Sequence, residues 1–145
     1  MRQRKATTIR CVGVVLAGAL LSACDINNTI EKAALARQAR SLSSIAAEAA
    51  FLTRELQAGH LHAAFVSVHL HNLQQDTSSA QQELAKPGSA GVDSQKPRTQ
   101  ALAQQLAQSL HRIALARAGP AQPLESERST LMRLHRELDA IGQER

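Results

Sequence analysis

A seven-residue period of apolar side chains in the first half of the chain constrains its fold more than any other sequence feature. Side chains at this spacing share one face of an α-helix, whereas a half-buried strand needs strict alternation. Asn28 followed by Glu31 forms an Asn variant of the capping box and predicts the helix start, and Gly59 predicts the helix end. We therefore predict one helix over residues 28–59. The apolar positions of its stripe are Leu35, Leu42, Ile45, Ala49, Leu52 and Leu56.

Two further apolar stripes predict a second and a third helix. The second covers about residues 62–86 and has its weakest helical sequence at residues 76–79. The third covers roughly residues 98–118, and residues 87–97 between them have the Pro, Gly and Ser content of a linker. The second stripe consists of Val66, Leu70, Leu73, Thr77, Ala80 and Leu84, broadened by Leu61 and Phe65, and the third of Leu102, Leu106, Leu110 and Ile113.

A fourth stripe follows Gly119 and Pro120, which predict the end of the third helix. Pro123 suits the first turn of the next helix, because its missing N–H has no helical partner there in any case. The fourth stripe consists of Leu124, Leu131, Leu134, Leu138 and Ile141. Since no alternating pattern runs longer than a few residues, we predict an all-α fold, an antiparallel bundle of about four amphipathic helices over residues 28–145.

Aromatic residues make up only 1% of the chain and are limited to Phe51 and Phe65. Modules that stack bases or sugars need several aromatic faces, so this composition counts against them. Phe51 falls opposite the apolar stripe of its helix at about 100° per residue. It therefore either packs against another helix of the bundle or is an exposed contact, and we expect the former.

The net charge of +5 is concentrated at the N-terminus. Four of the 17 Lys and Arg residues lie in residues 1–10, which contain no acidic residue, and the rest of the chain has 13 basic against 12 acidic residues. A nearly neutral body lacks the basic surface that binds a phosphate backbone. We expect no nucleic-acid partner.

The N-terminus has the layout of a targeting segment. Basic residues 1–10 precede an uncharged stretch, residues 11–23, which at about 1.5 Å per residue spans about 20 Å as a helix. A permanent membrane span needs about 30 Å. A cleaved signal peptide is therefore the better interpretation.

The uncharged stretch ends in Leu21-Ser22-Ala23-Cys24, followed by polar residues. This sequence resembles the lipobox of bacterial lipoproteins, and the resemblance covers residues 1–24 only. It implies cleavage between Ala23 and Cys24 by signal peptidase II, a diacylglyceryl group on the Cys24 thiol, and further acylation of the new amino terminus, for example by palmitate. The predicted organisation is a signal peptide at residues 1–23, a lipidated tether at residues 24–27 and the helical body.

The same resemblance indicates a location. It implies a bacterial membrane protein held by its lipid anchor, with the body facing the periplasm. Asp25 resembles the inner-membrane retention residue of enterobacterial lipoproteins, but this rule differs between bacterial groups, so inner and outer membrane both stay open. Cys11 leaves with the signal peptide, and a lipidated Cys24 leaves the mature chain without a free thiol. We expect no disulfide and no cofactor other than the lipid.

Six histidines are the only unusual candidates for chemistry: His60, His62, His69, His71, His111 and His135. On one continuous helix His62 and His69 share the apolar arc, while His60 and His71 fall on the opposite, polar side. His135 flanks the apolar stripe of the fourth helix. The favoured interpretation is imidazoles hydrogen-bonded to a facing helix. The alternative is a ligand or metal site formed by His62, His69 and His135, although one metal needs ligands on adjacent turns.

The motifs of common enzyme classes are missing from the sequence. It contains no Gly-rich phosphate loop, no G-x-S-x-G elbow and no H-E-x-x-H motif. We therefore expect no catalytic activity and predict an interaction or structural module that binds another envelope protein or self-associates. The alternative function is a ligand- or metal-sensing lipoprotein that uses its interior histidines.

Overall fold

Four helices form the protein in a computed structural model that describes residues 29–92, 94–118 and 124–144. They are α1 (Lys32–Gln57), α2 (Ala63–Ala85), α3 (Gln95–Ala118) and α4 (Glu125–Gln143). Within the described residues the only strand-like feature is one isolated parallel bridge between Ile30 and Gly88. The predicted all-α bundle of four helices is confirmed. None of the helices in this part of the chain has both the length and the apolar character that a membrane span needs.

Successive helices run antiparallel, and each packs against its neighbours around one core. Helices α1 and α3 each contact both α2 and α4, and they also touch one another across the centre of the bundle. Side-chain bonds fix the directions, because residues late in one helix bond residues early in the next. Arg112 of α3 bonds Glu127 of α4 through Nε to Oε1 at 2.6 Å, and Gln100 of α3 donates to the Leu84 carbonyl of α2 at 2.7 Å.

The predicted apolar stripes form the core. Leu35 and Leu42 of α1, Leu84 of α2 and Leu106 of α3 are fully buried. Each isolated helix is marginal in water, so burial of these side chains, at about 1.5–3 kcal/mol each, supplies most of the stability. The other fully buried large side chains are Val66, Leu70, Leu110, Ile113, Leu131, Leu134, Leu138 and Ile141.

Buried hydroxyl groups within the stripes bond their own helices. Thr77, at an apolar position of α2, donates to the Leu73 carbonyl at 2.7 Å. Thr53 of α1 donates in the same way to the Ala49 carbonyl, also at 2.7 Å. An unsatisfied buried hydroxyl is costly, and these bonds one turn back avoid that cost. A threonine can therefore occupy a core position without a partner on another helix.

The end of α1 follows the prediction at Gly59. Gly59 has φ of 73°, its N–H donates to the Leu56 carbonyl at 3.1 Å, and the N–H of His60 donates to the Glu55 carbonyl at 3.0 Å. These two bonds make a Schellman motif, whose left-handed residue is usually glycine because a Cβ is strained there. The prediction that Gly59 ends the first helix is confirmed.

The predicted helix start and the predicted weak point need revision. Glu31 is the N-cap of α1 and its side chain makes no capping bond, so it does not have the capping-box role; Asn28 lies outside the described residues. Helix α2 continues through residues 76–79 without a break. Gly119, Pro120 and Pro123 also lie outside the described residues.

The predicted linker has a defined structure over much of its length. Pro87 accepts a hydrogen bond from the Ile30 N–H at 2.8 Å, and the Ser89 N–H donates back to the Ile30 carbonyl at 3.0 Å. Val92 is fully buried. Helix α3 begins at Gln95, so Pro97 lies in its first turn. A proline is tolerated there because it removes no helical hydrogen bond. The start of α1 is thus tied to the α2–α3 connection.

Candidate functional site

The closest helix–helix contact lies between α1 and α4, where small side chains let the backbones approach. Ala39, Ser43, Ala46 and Ala50 form a buried row on α1, and α4 packs on α1 more extensively than any other two helices pack. An ideal Cβ added at Gly142 of α4 would lie only 2.5 Å from the Arg40 Cγ. At this position the interface has no room for even one added methyl group unless Arg40 moves.

His135 lies inside that interface and is bonded to Ser43. Its Nδ1 is 2.8 Å from the Ser43 Oγ and 3.2 Å from the Ser43 carbonyl oxygen, and the Ser43 hydroxyl donates to the His135 carbonyl at 3.1 Å. The single hydroxyl hydrogen goes to the carbonyl, so Oγ accepts from Nδ1–H. Nδ1 therefore carries a proton in the ring. The arrangement joins two helices and matches the favoured interpretation of the histidines.

His69 is half-buried at the boundary between α2 and α1. Its Nε2 bonds a Glu48 carboxylate oxygen of α1, and the side chains are 35% and 45% exposed, respectively. Its ring stacks on Phe65 one turn earlier, with centroids 5.2 Å apart and an interplanar angle of 18°. His69 thus bonds the facing helix, as the favoured interpretation expects, but its partner is an ionisable carboxylate at the surface.

His62 does not share the arc of His69. It is the N-cap of α2 with extended backbone angles, φ −71° and ψ 139°, and its side chain is exposed. The 100° step per residue applies only within a helix, and α2 begins one residue later at Ala63. The expectation that His62 faces the bundle is therefore wrong, whereas His60 and His71 are exposed as expected.

The α1–α2 turn carries a small charged group. His60 Nδ1 donates to Glu55 Oε2 at 3.0 Å, and Arg54 Nε donates to Glu55 Oε1 at 2.8 Å. The hydrogen bond from His60, followed by that from Arg54, holds the pKa of the Glu55 carboxyl below its ordinary value. Arg54 and His60 thus share one carboxylate.

The structure does not bring together the three candidate ligands His62, His69 and His135. The first two belong to the start and body of α2, the third belongs to α4, and these two helices share no contact in the described part of the chain. Across residues 29–92, 94–118 and 124–144, no group of three or more His, Cys, Asp or Glu side chains could hold a metal ion. The lipidation residues Ala23 and Cys24 lie outside the described residues.

Both aromatic rings of the chain are exposed. Phe51 and Phe65 each retain 51% exposure, and Val68, one turn after Phe65, retains 64%. The expectations that Phe51 packs against another helix and that Phe65 belongs to the apolar stripe of the second helix are both wrong. Its ring instead lies under the Arg54 guanidinium, whose carbon is 5.0 Å from the ring centroid.

These exposed side chains form a continuous surface across α1 and α2, which we call the aromatic band. It consists of Phe51 and Glu48 on α1 and of His69, Phe65 and Val68 on α2. Phe51 lies one turn from Glu48, Glu48 bonds His69, and His69 stacks on Phe65. Aromatic residues, phenylalanine included, and arginine are enriched in the cores of protein–protein interfaces.

A polar groove lies between α2 and α3. Its volume is about 340 Å³, and it is lined by Gln81, Leu84, Ala85, Gln100 and Gln104. Gln100 already donates to the Leu84 carbonyl at 2.7 Å. The groove has no charged or aromatic lining residue, so nothing in its walls selects a particular ligand.

Comparison with known proteins adds no family. No family model, curated protein or solved structure matches this chain.

Sequence reasoning missed the two side chains that hold the histidines. No sequence pattern singles out Glu48 or Ser43 as the partner of a histidine. A histidine at the boundary of an apolar stripe indicates that a partner faces it, but the partner depends on how two helices are rotated and aligned. No residue pattern within one helix carries that information.

Proposed function

We propose that this chain is a lipid-anchored helical protein of the bacterial envelope that acts by binding another protein through the aromatic band. The lipid anchor is inferred from the sequence of residues 1–24. The observation that carries the binding role is that both aromatic rings of a leucine- and alanine-rich chain remain half exposed in one band. Burying a large apolar side chain is worth about 1.5–3 kcal/mol. A partner that covers the band therefore gains binding free energy from surface that folding of the bundle does not bury.

The distance from the anchor to the band agrees with a contact role away from the membrane. Ile30 is bonded to Pro87 and Ser89 at the end of the bundle where α1 begins. Residues 24–30 reach at most about 20 Å even when extended, so an anchor on Cys24 keeps this end near the bilayer. Phe51 lies about 30 Å further along α1, at about 1.5 Å per residue.

The anchor is tested by intact mass and membrane fractionation. The mature protein is expected to begin at Cys24 and to carry acyl chains, and Cys24→Ser is expected to remove both the acylation and the membrane retention. Two or more acyl chains hold a protein on a bilayer far more firmly than a single chain does. A mature protein without acyl chains, or one that begins elsewhere, contradicts the anchoring half of the proposal.

The binding role is tested by photo-crosslinking in living cells. Benzoylphenylalanine replaces Phe65 within the band in one strain and replaces Ser129, an exposed residue of α4, in a matched control strain. We expect a defined crosslinked product from position 65 and none from position 129. Equal or no crosslinking at both positions contradicts a binding role for the band.

A further inference from the structure

We propose that the partner of the aromatic band is the aromatic band of a second copy of this chain. The two copies would be related by a two-fold axis that runs along the bundles. The inference rests on the proposed function, because it uses the lipid anchor to orient both copies.

The point where the anchored N-terminal segment joins the bundle favours this symmetry. The bonds of Ile30 to Pro87 and Ser89 fix the start of α1 beside the α2–α3 connection. Copies anchored in the same leaflet therefore have the same end near the bilayer and their bands at the same height. A two-fold axis perpendicular to the membrane brings such identical surfaces face to face, which is the geometry of an isologous dimer.

The chemistry of the band suits contact with itself. Its large side chains Phe51, Phe65 and Val68 are uncharged, and aromatic rings pack well against one another in offset or edge-to-face arrangements. Its charged side chain Glu48 is bonded to His69 within the same copy. The Glu48 carboxylate therefore already has a hydrogen-bond partner within its own copy, and two identical bands can meet without leaving it unpaired.

The flanking charges argue against a strongly charged partner. Beside Phe51, both Arg54 and His60 bond the carboxylate of Glu55. An acidic or basic partner would have to break these pairs before it gained pairs of its own. The side chains Phe51, Phe65 and Val68 of a second band are uncharged, so contact with them requires no such exchange.

Membrane anchoring compensates for the small size of the band. A stable interface between free proteins buries about 1,200–2,000 Å² in total, which needs more than a few side chains per partner. Confinement in one membrane makes the encounter effectively intramolecular and raises the effective concentration of the second copy. We therefore expect the dimer on membranes.

Single-cysteine variants of the full lipid-anchored chain test the dimer. Cys11 and Cys24 are the only cysteines, so Val68→Cys introduces the single free thiol of the mature body. Mild oxidation of membranes is expected to link Val68→Cys into a disulfide dimer that reductant reverses. The matched control Ser129→Cys, exposed on α4, is expected to stay monomeric.

A second substitution in the band separates a specific contact from random collision. Phe51→Ser in the Val68→Cys chain is expected to lower the dimer fraction roughly tenfold, as loss of a central aromatic contact does, while Phe51→Leu retains most of it. Helical circular dichroism spectra equal to those of the parent show that the fold is intact. Dimer formation that is unchanged by Phe51→Ser overturns the inference.

The other outcomes distinguish this inference from the proposed function. If intact mass shows acyl chains on Cys24 but Val68→Cys yields no dimer, or links to a different protein, the second-copy inference is overturned. A link to a different protein leaves the proposed binding role standing. If the mass shows no acyl chain, the anchoring proposal fails, and the inference that rests on it fails too.

Discussion

The two neighbours of α1 contact it in different ways. On the α4 side the buried row Ala39, Ser43, Ala46 and Ala50 allows close approach, and the histidine in that interface bonds a serine. On the α2 side the contact ends at the surface in a hydrogen bond between Glu48 and His69, beside two exposed rings. The first interface is completed within the chain, whereas the second leaves apolar surface uncovered.

Under the proposed function, this difference assigns stability and binding to different faces of one helix. Small side chains serve a permanent interface, because they permit many short contacts and no other molecule can enter. In the proposed binding role, the large exposed side chains would serve a contact that forms and breaks, because covering them gains free energy that the isolated bundle does not need. Substitutions in the two regions should therefore affect different measurements.

Truncating one apolar side chain in each region should give the largest contrast. Leu134→Ala removes a fully buried side chain of α4 and is expected to cost about 2–5 kcal/mol in the free energy of unfolding. Phe65→Ala removes a larger side chain that is 51% exposed, and is expected to cost less than about 1 kcal/mol. Chemical denaturation of both variants measures the two values, and similar losses would show that the band belongs to the core.

Adding one methyl group at the α1–α4 interface should give the next largest effect. Gly142→Ala is expected to destabilise by about 1–3 kcal/mol, because the new Cβ would overlap the Arg40 side chain. The sign is informative, since alanine in place of glycine stabilises an unobstructed helix by up to about 1 kcal/mol. Thermal unfolding measures it, and Ser129→Ala on the exposed face of α4 controls for helix propensity. A stabilised Gly142→Ala variant would falsify the close approach described here.

Removing the hydroxyl that holds His135 should have an intermediate effect. Ser43→Ala deletes the bonds between the Ser43 Oγ and His135 and is expected to cost about 1 kcal/mol. Ser44→Ala, the next residue on α1, removes only an exposed bond to the Arg40 carbonyl and gains the same helix propensity. The difference between the two variants in urea denaturation isolates the interhelical bonds, and equal stabilities would show that these bonds contribute nothing.

The physical origin of each feature explains which parts of this comparison could be predicted. The stripes, the end of α1 at Gly59 and the four helices depend on neighbouring residues, so sequence periodicity and turn chemistry predict them. The exposure of Phe51 and the bond between Glu48 and His69 depend on the rotation of α1 against α2. The position of His62 depends on where α2 begins. Because α2 begins at Ala63, His62 is the N-cap and lies outside the predicted apolar arc.

The smallest expected effect concerns acid sensitivity at the edge of the band. The hydrogen bonds from His60 and Arg54 hold the pKa of Glu55 below its ordinary value of 4.5. As the pH falls below 4.5, the unfolded chain therefore takes up this proton before the folded chain does, so the stabilising contribution of Glu55 declines and is lost below its folded-state pKa. Above pH 4.5 the contribution is fully present.

Glu55→Gln should therefore reduce the stability of the protein slightly at pH 7 and flatten its loss of stability below pH 4.5. Because the group lies near solvent, added salt should shrink the difference from the parent chain. Asp76→Asn, which neutralises an exposed carboxylate in the middle of α2, serves as the control. Urea denaturation from pH 3 to pH 7 measures both variants. If Glu55→Gln loses as much stability in acid as the parent chain does, the bonds of Glu55 to Arg54 and His60 are not coupled to folding.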